Sequence, residues 1–119
     1  MKGAQGRPFP WGTDLPRSGG VACELSRPRD VGTSAQDVSP EGIYDLGGNV
    51  QEWVSSDRDT PELRVVRGGS FESHGPCPLL GSSCARLSPL RFSKEIGLRC
   101  ARSVDQTRPE CPVLRYAER

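Results

Sequence analysis

The chain has no apolar run approaching the roughly 18 residues of a membrane-spanning helix, so no such span is expected. Its opening, MKGAQGRPFPWG, lacks the apolar core of about 7–15 residues that marks a secretory signal. A cytoplasmic location is the expectation, with an export signal on an upstream segment as the alternative. An excess of one charge is also missing. The chain carries 16 basic and 15 acidic residues, net +1, and so no global field for nucleic acid or an anionic membrane. Lysine occurs only at positions 2 and 94, and Arg27 and Arg29 stand far in sequence from either tryptophan. No basic patch interleaves with aromatics, which argues against a nucleic-acid partner. Cys23, Cys77, Cys84, Cys100 and Cys111 form no CxxC pair, and the single histidine, His74, cannot complete a Cys2His2 pattern. A structural zinc site is not expected. An odd cysteine count leaves at least one free thiol if the others pair within the chain. There is no GxSxG, P-loop or GxGxxG signature, and no spacing that supports a Ser-His-Asp triad around His74.

A length of 119 residues favours one domain. Leu, Ile, Val and Phe make up about a fifth of the chain, near the lower limit for building a core. Gly (14) and Pro (11) together account for another fifth. Low net charge argues against disorder. These features describe a loop-rich domain with a small core and marginal stability, one that a metal, a disulfide or a partner would help.

Residues 1–40 are broken by Pro8, Pro10, Pro16, Pro28 and Pro40 and by six glycines, so no helix of ordinary length fits. A string of turns anchored by Phe9 and Trp11 is expected. DVSPEG (37–42) reads as a tight turn, with Pro40 fixing φ and Gly42 free to take positive φ. IYDL reads as a short strand, GGN as a reversal, and VQEWV (50–54) as a strand in preference to a helix. LRVVRGGSF is the next strand, broken or bulged at Gly68–Gly69. ESHGPCPLLGSS is irregular, CARLS opens another strand, PLRFSKE is a loop, and IGLRCAR alternates as a strand. The tail from 105 to 119 is expected to be loose.

Four spaced blocks, RPFPWG (7–12), SPEGIYDLGGNVQEWV (39–54), RVVRGGSF (64–71) and IGLRCA (96–101), resemble the formylglycine-generating enzymes, or sulfatase-modifying factor family. The resemblance spans roughly residues 7–103 and implies a domain over 1–104. The implied fold class is α+β and loop-rich, a variant of the C-type lectin fold. The family's earlier segment resembling RLPTEAEWEYA has no counterpart here. The domain is therefore expected to be truncated at its N-terminus, with Met1 inside it.

The resemblance also implies a structural calcium ion in the GNVxEW turn, held by Asp45, the carbonyls of Gly48 and Val50, and Glu52. Residues 50 and 52 share one side of a strand, and calcium favours six to eight oxygens in an irregular cage. The plain alternative makes Asp45 a turn residue and Glu52 a solvated edge residue. No second calcium site is expected. In the family's oxidases two cysteines, three and eight residues after the serine of GGS, hold Cu(I). Counted from Ser70, those positions are Ser73 and Pro78. Copper is not expected, because a serine hydroxyl does not replace a soft thiolate. The remaining catalytic candidates are Ser70, His74 and Cys77. Each has a bland alternative: a strand hydroxyl bonded to backbone, a surface histidine and an ordinary loop thiol. Cys84 lies near, and Cys100 at, positions of disulfide cysteines in exported relatives, with no bridge assigned.

The function expected on these grounds is a binding or accessory module lacking copper oxidase chemistry, or a truncated remnant, with a protein or peptide partner. The alternative is an oxidoreductase converting a protein cysteine to formylglycine once completed by the missing half.

Overall fold

The computed structural model describes residues 6–55 and 60–101. The tail from 105, Cys111 and part of the SSDRDTPE loop fall outside the described residues.

Four short strands fall in the segments that the sequence marks as strands. They are β1 (Gln51–Val54), β2 (Arg64–Arg67), β3 (Cys84–Leu87) and β4 (Ile96–Leu98). They form one mixed sheet in the order β3-β2-β1-β4. β1 and β2 run antiparallel with Glu52 opposite Arg67 and Val54 opposite Val65. β2 and β3 are also antiparallel, whereas β4 lies parallel to β1 with Glu52 beside Gly97. Val65 and Val66 point to opposite faces of β2, and both are buried, so both faces of the sheet centre are covered.

The strand expected over VQEWV is present. IYDL forms only an isolated bridge, Val38 to Tyr44, in place of a strand. The reason is local: Asp45 adopts φ +57, which turns the chain out of the ladder. β2 stops where Gly68 takes φ +78. The α+β class holds only for its sheet. Among the described residues there is no α-helix, and one 3-10 turn, Cys77–Leu79, lies inside the segment read as irregular. Proline and glycine spacing is the cause, since no stretch offers a helix enough uninterrupted residues.

Residues 6–50 wrap against the sheet as turns. Phe9 and Trp11 stack with ring centroids 4.9 Å apart, and Phe9 buries itself with Val21 and Leu79. The SPEG turn closes through the Gly42 N–H on the Ser39 carbonyl, with Gly42 at φ +80. The core is small, and several large apolar side chains remain outside it: Phe92 is 98% exposed, Leu98 71% and Val31 85%. No helix among the described residues is long and apolar enough to cross a membrane.

Candidate functional site

The central bend is organised by a carboxylate that sequence reasoning missed. Asp37 is fully buried, and its carboxylate accepts the N–H groups of Gly47 (2.9 Å) and Gly48 (2.8 Å). Burial pushes its pKa up, opposed by the Gly48 and Gly47 amides, and the Asp45 charge adds to the rise. The two glycines follow from this close packing. A Cβ on Gly47 would lie 2.7 Å from the Trp11 ring, and one on Gly48 would lie 2.6 Å from the Ala22 carbonyl oxygen. The left-handed residues of the bend are Asp45 and Asn49 (φ +69), not the glycines that the sequence pattern had made responsible for the reversal. Asn49 holds its place by accepting the Arg29 N–H at its side-chain oxygen and donating to the Arg29 carbonyl.

Asp45, Val50 and Glu52 line one hollow of about 610 Å³, together with Tyr44, Gly32 and Arg99. Gly48 does not line it. The Asp45 Oδ2 accepts the Gly32 N–H at 2.7 Å, while its buried Oδ1 accepts no hydrogen bond. Glu52 is neither solvated nor orphaned. Arg99 donates to it from Nε (3.0 Å) and Nη2 (2.7 Å), and Nη2 also reaches the Tyr44 carbonyl at 2.9 Å. The hydrogen bonds that Arg99 donates to Glu52 hold the Arg99 pKa above its ordinary value. A guanidinium therefore already sits against the Glu52 carboxylate. The donor set fits a hard cation at Asp45 Oδ1, which has a lone pair to give. Among the described residues no three His, Cys, Asp or Glu side chains converge, so such an ion would depend on backbone carbonyls.

The loop after β2 separates the catalytic candidates. Ser70 is buried, and its hydroxyl donates to Glu95 Oε2 at 2.5 Å. The Ser73 hydroxyl accepts the Ser70 N–H at 2.8 Å and so closes the loop on itself. His74 and Cys77 are exposed. Among the described residues, no hydrogen bond joins Ser70 to His74 or Cys77. Cys23, Cys77, Cys84 and Cys100 are all free thiols, and burial raises the pKa of Cys23. Lys94 pairs with Glu72 beside this loop and lies 5.6 Å from the Phe71 ring centroid.

The sulfatase-modifying factor enzyme 1-like domain matches residues 3–104. The chain belongs to that family. Sulfatase-modifying factor domains thus account for the four blocks seen in the sequence. Among solved structures, the crystal structure of CarF superposes with a TM-score of 0.58 at 20% identity, over 82% of this chain and 38% of that one. At that identity the likeness concerns the fold alone, and the chain spans little more than a third of the length of CarF. No curated protein matches the chain. Within this sulfatase-modifying factor domain, Arg99, Glu95 and Asp37 are the residues that sequence reasoning overlooked. Arg99 was placed in a strand segment, but nothing local pointed to Glu52 as its partner, 47 residues away. Glu95 and Asp37 had no signal, because their partners are remote in sequence.

Proposed function

We propose that this sulfatase-modifying factor domain, built as a variant of the C-type lectin fold, works as a binding or accessory module without copper oxidase chemistry. One observation carries the reading. The two positions that would supply a thiolate pair on the loop after β2 are Ser73 and Pro78, and the Ser73 hydroxyl is committed to the Ser70 amide. Cys77 is the one sulfur on that loop, and a single exposed thiol does not make a two-coordinate soft site for Cu(I). A loop-rich surface on a small sheet suits a recognition role, since surface loops vary without loss of the scaffold. The test is oxygen uptake with Cu(I) and a cysteine-containing sulfatase peptide. No uptake above the peptide and metal blank is expected. Turnover would establish the alternative, a cysteine-oxidising enzyme.

Calcium is proposed as a structural clamp at the bend. Asp45, the Val50 carbonyl and Glu52 would hold it from the hollow they line, with Arg99 sharing the Glu52 carboxylate, while the Gly48 carbonyl that the resemblance adds to the set lies outside that lining. The ion would supply cohesion between the bend and β1, and no reaction. The support is the buried Asp45 oxygen that accepts no hydrogen bond. Millimolar calcium is expected to raise the melting temperature by roughly 10–15 °C over chelator, the size of a bound ligand near a hundredfold excess over its Kd. Asp45→Asn and Glu52→Gln should each remove that increment. Identical melting of the unsubstituted chain in both media would end the proposal.

A further inference from the structure

A cleft of about 320 Å³ opens on the face of the sheet that carries Glu52, Val54 and Arg67. Its walls are apolar: Pro10, Ile43, Leu46, Val54 and Leu80. Neither Ser70, Ser73, His74 nor Cys77 lines it. Four charged side chains do, and their pairing is uneven. Arg7 faces Glu41 at 3.5 Å. Glu52 stands directly across the ladder from Arg67, yet both of its carboxylate oxygens are taken by Arg99. The Arg67 guanidinium, on a half-buried residue, has no hydrogen-bond or ion-pair partner among the described residues. Arg7 is matched by Glu41 and Arg99 by Glu52, so among the described residues the cleft keeps one uncompensated positive charge against an apolar wall.

A half-buried guanidinium without an anion is an unfavourable arrangement that a ligand can relieve. Its planar fork matches a carboxylate in two-point geometry. The volume lies at the low end for small-molecule pockets, and an apolar lining with one fixed polar anchor is their usual composition. We infer that this cleft binds a small monocarboxylic acid with an apolar body, its carboxylate on Arg67 and its hydrocarbon against Ile43, Leu46 and Val54. A dianion is disfavoured, because Glu41 and Glu52 stand nearby. The inference rests on the cleft alone and holds whatever the outcome of the oxygen-uptake assay.

Octanoate is the probe, titrated into the full ¹⁵N-labelled chain at neutral pH while the Gly68 and Gly81 amides, both at the cleft, are followed. Saturable shifts at these two amides are expected. Octan-1-ol, equal in length but uncharged, should bind at least about tenfold more weakly, the loss expected when a charge-assisted hydrogen bond is removed. Arg67→Gln should weaken octanoate by a similar factor while leaving octanol unchanged. Equal binding of acid and alcohol, or no saturable shift, would overturn the inference without any variant, so a poorly folding Arg67→Gln does not rescue it. Tighter binding of a capped Leu-Glu-Leu peptide than of octanoate would also overturn it, by assigning the cleft to a polypeptide carboxylate.

Discussion

Asp37→Ala is expected to lower the free energy of unfolding by about 3 kcal/mol, measured by urea titration. The substitution leaves the Gly47 and Gly48 N–H groups buried without an acceptor. Each such orphan costs about 1–3 kcal/mol, less the desolvation relieved by removing a buried charge. In a domain whose total stability is on the order of 5–15 kcal/mol, that loss populates the unfolded state visibly. Asp37→Asn should be far milder, because one amide oxygen still accepts. The pH response distinguishes the two carboxyl states. Burial raises the Asp37 pKa in the folded chain, so the folded state takes up its proton before the unfolded state does. Stability from this group therefore grows as pH falls through the raised folded value toward the unfolded value of about 3.9, and is lost as pH rises again. Relative to Asp37→Asn, the unsubstituted chain should gain stability on acidification over that window. A difference that shrinks instead would show that the amides, and not burial, govern the carboxylate.

Gly48→Ala is expected to cost about 3 kcal/mol or to prevent folding. The new methyl group would stand 2.6 Å from the Ala22 carbonyl oxygen and 2.9 Å from Val21 Cγ1. The carbonyl cannot simply retreat, since it accepts the Asn49 N–H at 2.8 Å. Overpacking against fixed backbone falls at the upper end of the usual 1–3 kcal/mol. Gly32→Ala provides the comparison. Gly32 has φ +76 but open space around it, so only backbone strain applies, about 1 kcal/mol. Thermal melts of the two variants should differ by several degrees, and equal melts would refute the steric account of Gly48.

Much of the sheet was legible from short apolar segments between breakers. VQEWV, LRVVR, CARLS and IGLRC each yield a strand, IGLRC through clean alternation and the others as short apolar segments bounded by glycine, proline or polar breaks. The order of the strands was not legible. Parallel pairing of β1 with β4 depends on closing the whole intervening chain, and no local pattern encodes that. The bend was half read. Its glycines were rightly singled out, yet they serve close approach to Trp11, Asp37 and Ala22, while Asp45 and Asn49 carry the left-handed backbone. A sequence does not distinguish a glycine needed for space from one needed for conformation. Glu52 was read as needing a cation, and Arg99 is a cation that meets it. Arg99 could not be anticipated, because the partners are brought together by tertiary structure alone. The missing thiolate pair, by contrast, was visible at once, because it depends on residue identity and not on geometry.

The parallel placement of β4 beside β1 also bears on how this chain matures. Gln51 pairs with Ile96, so one side of β1 stays without its neighbour until nearly the last described residues have been synthesised. A nascent chain halted before Arg99 would expose the Glu52 carboxylate and the Trp53 edge together. Long-range closure of this kind slows folding and lengthens the interval in which unpaired strand edges can meet other chains. The interval between synthesis of β1 and arrival of β4 is then when the open flank of β1 is a template for other chains.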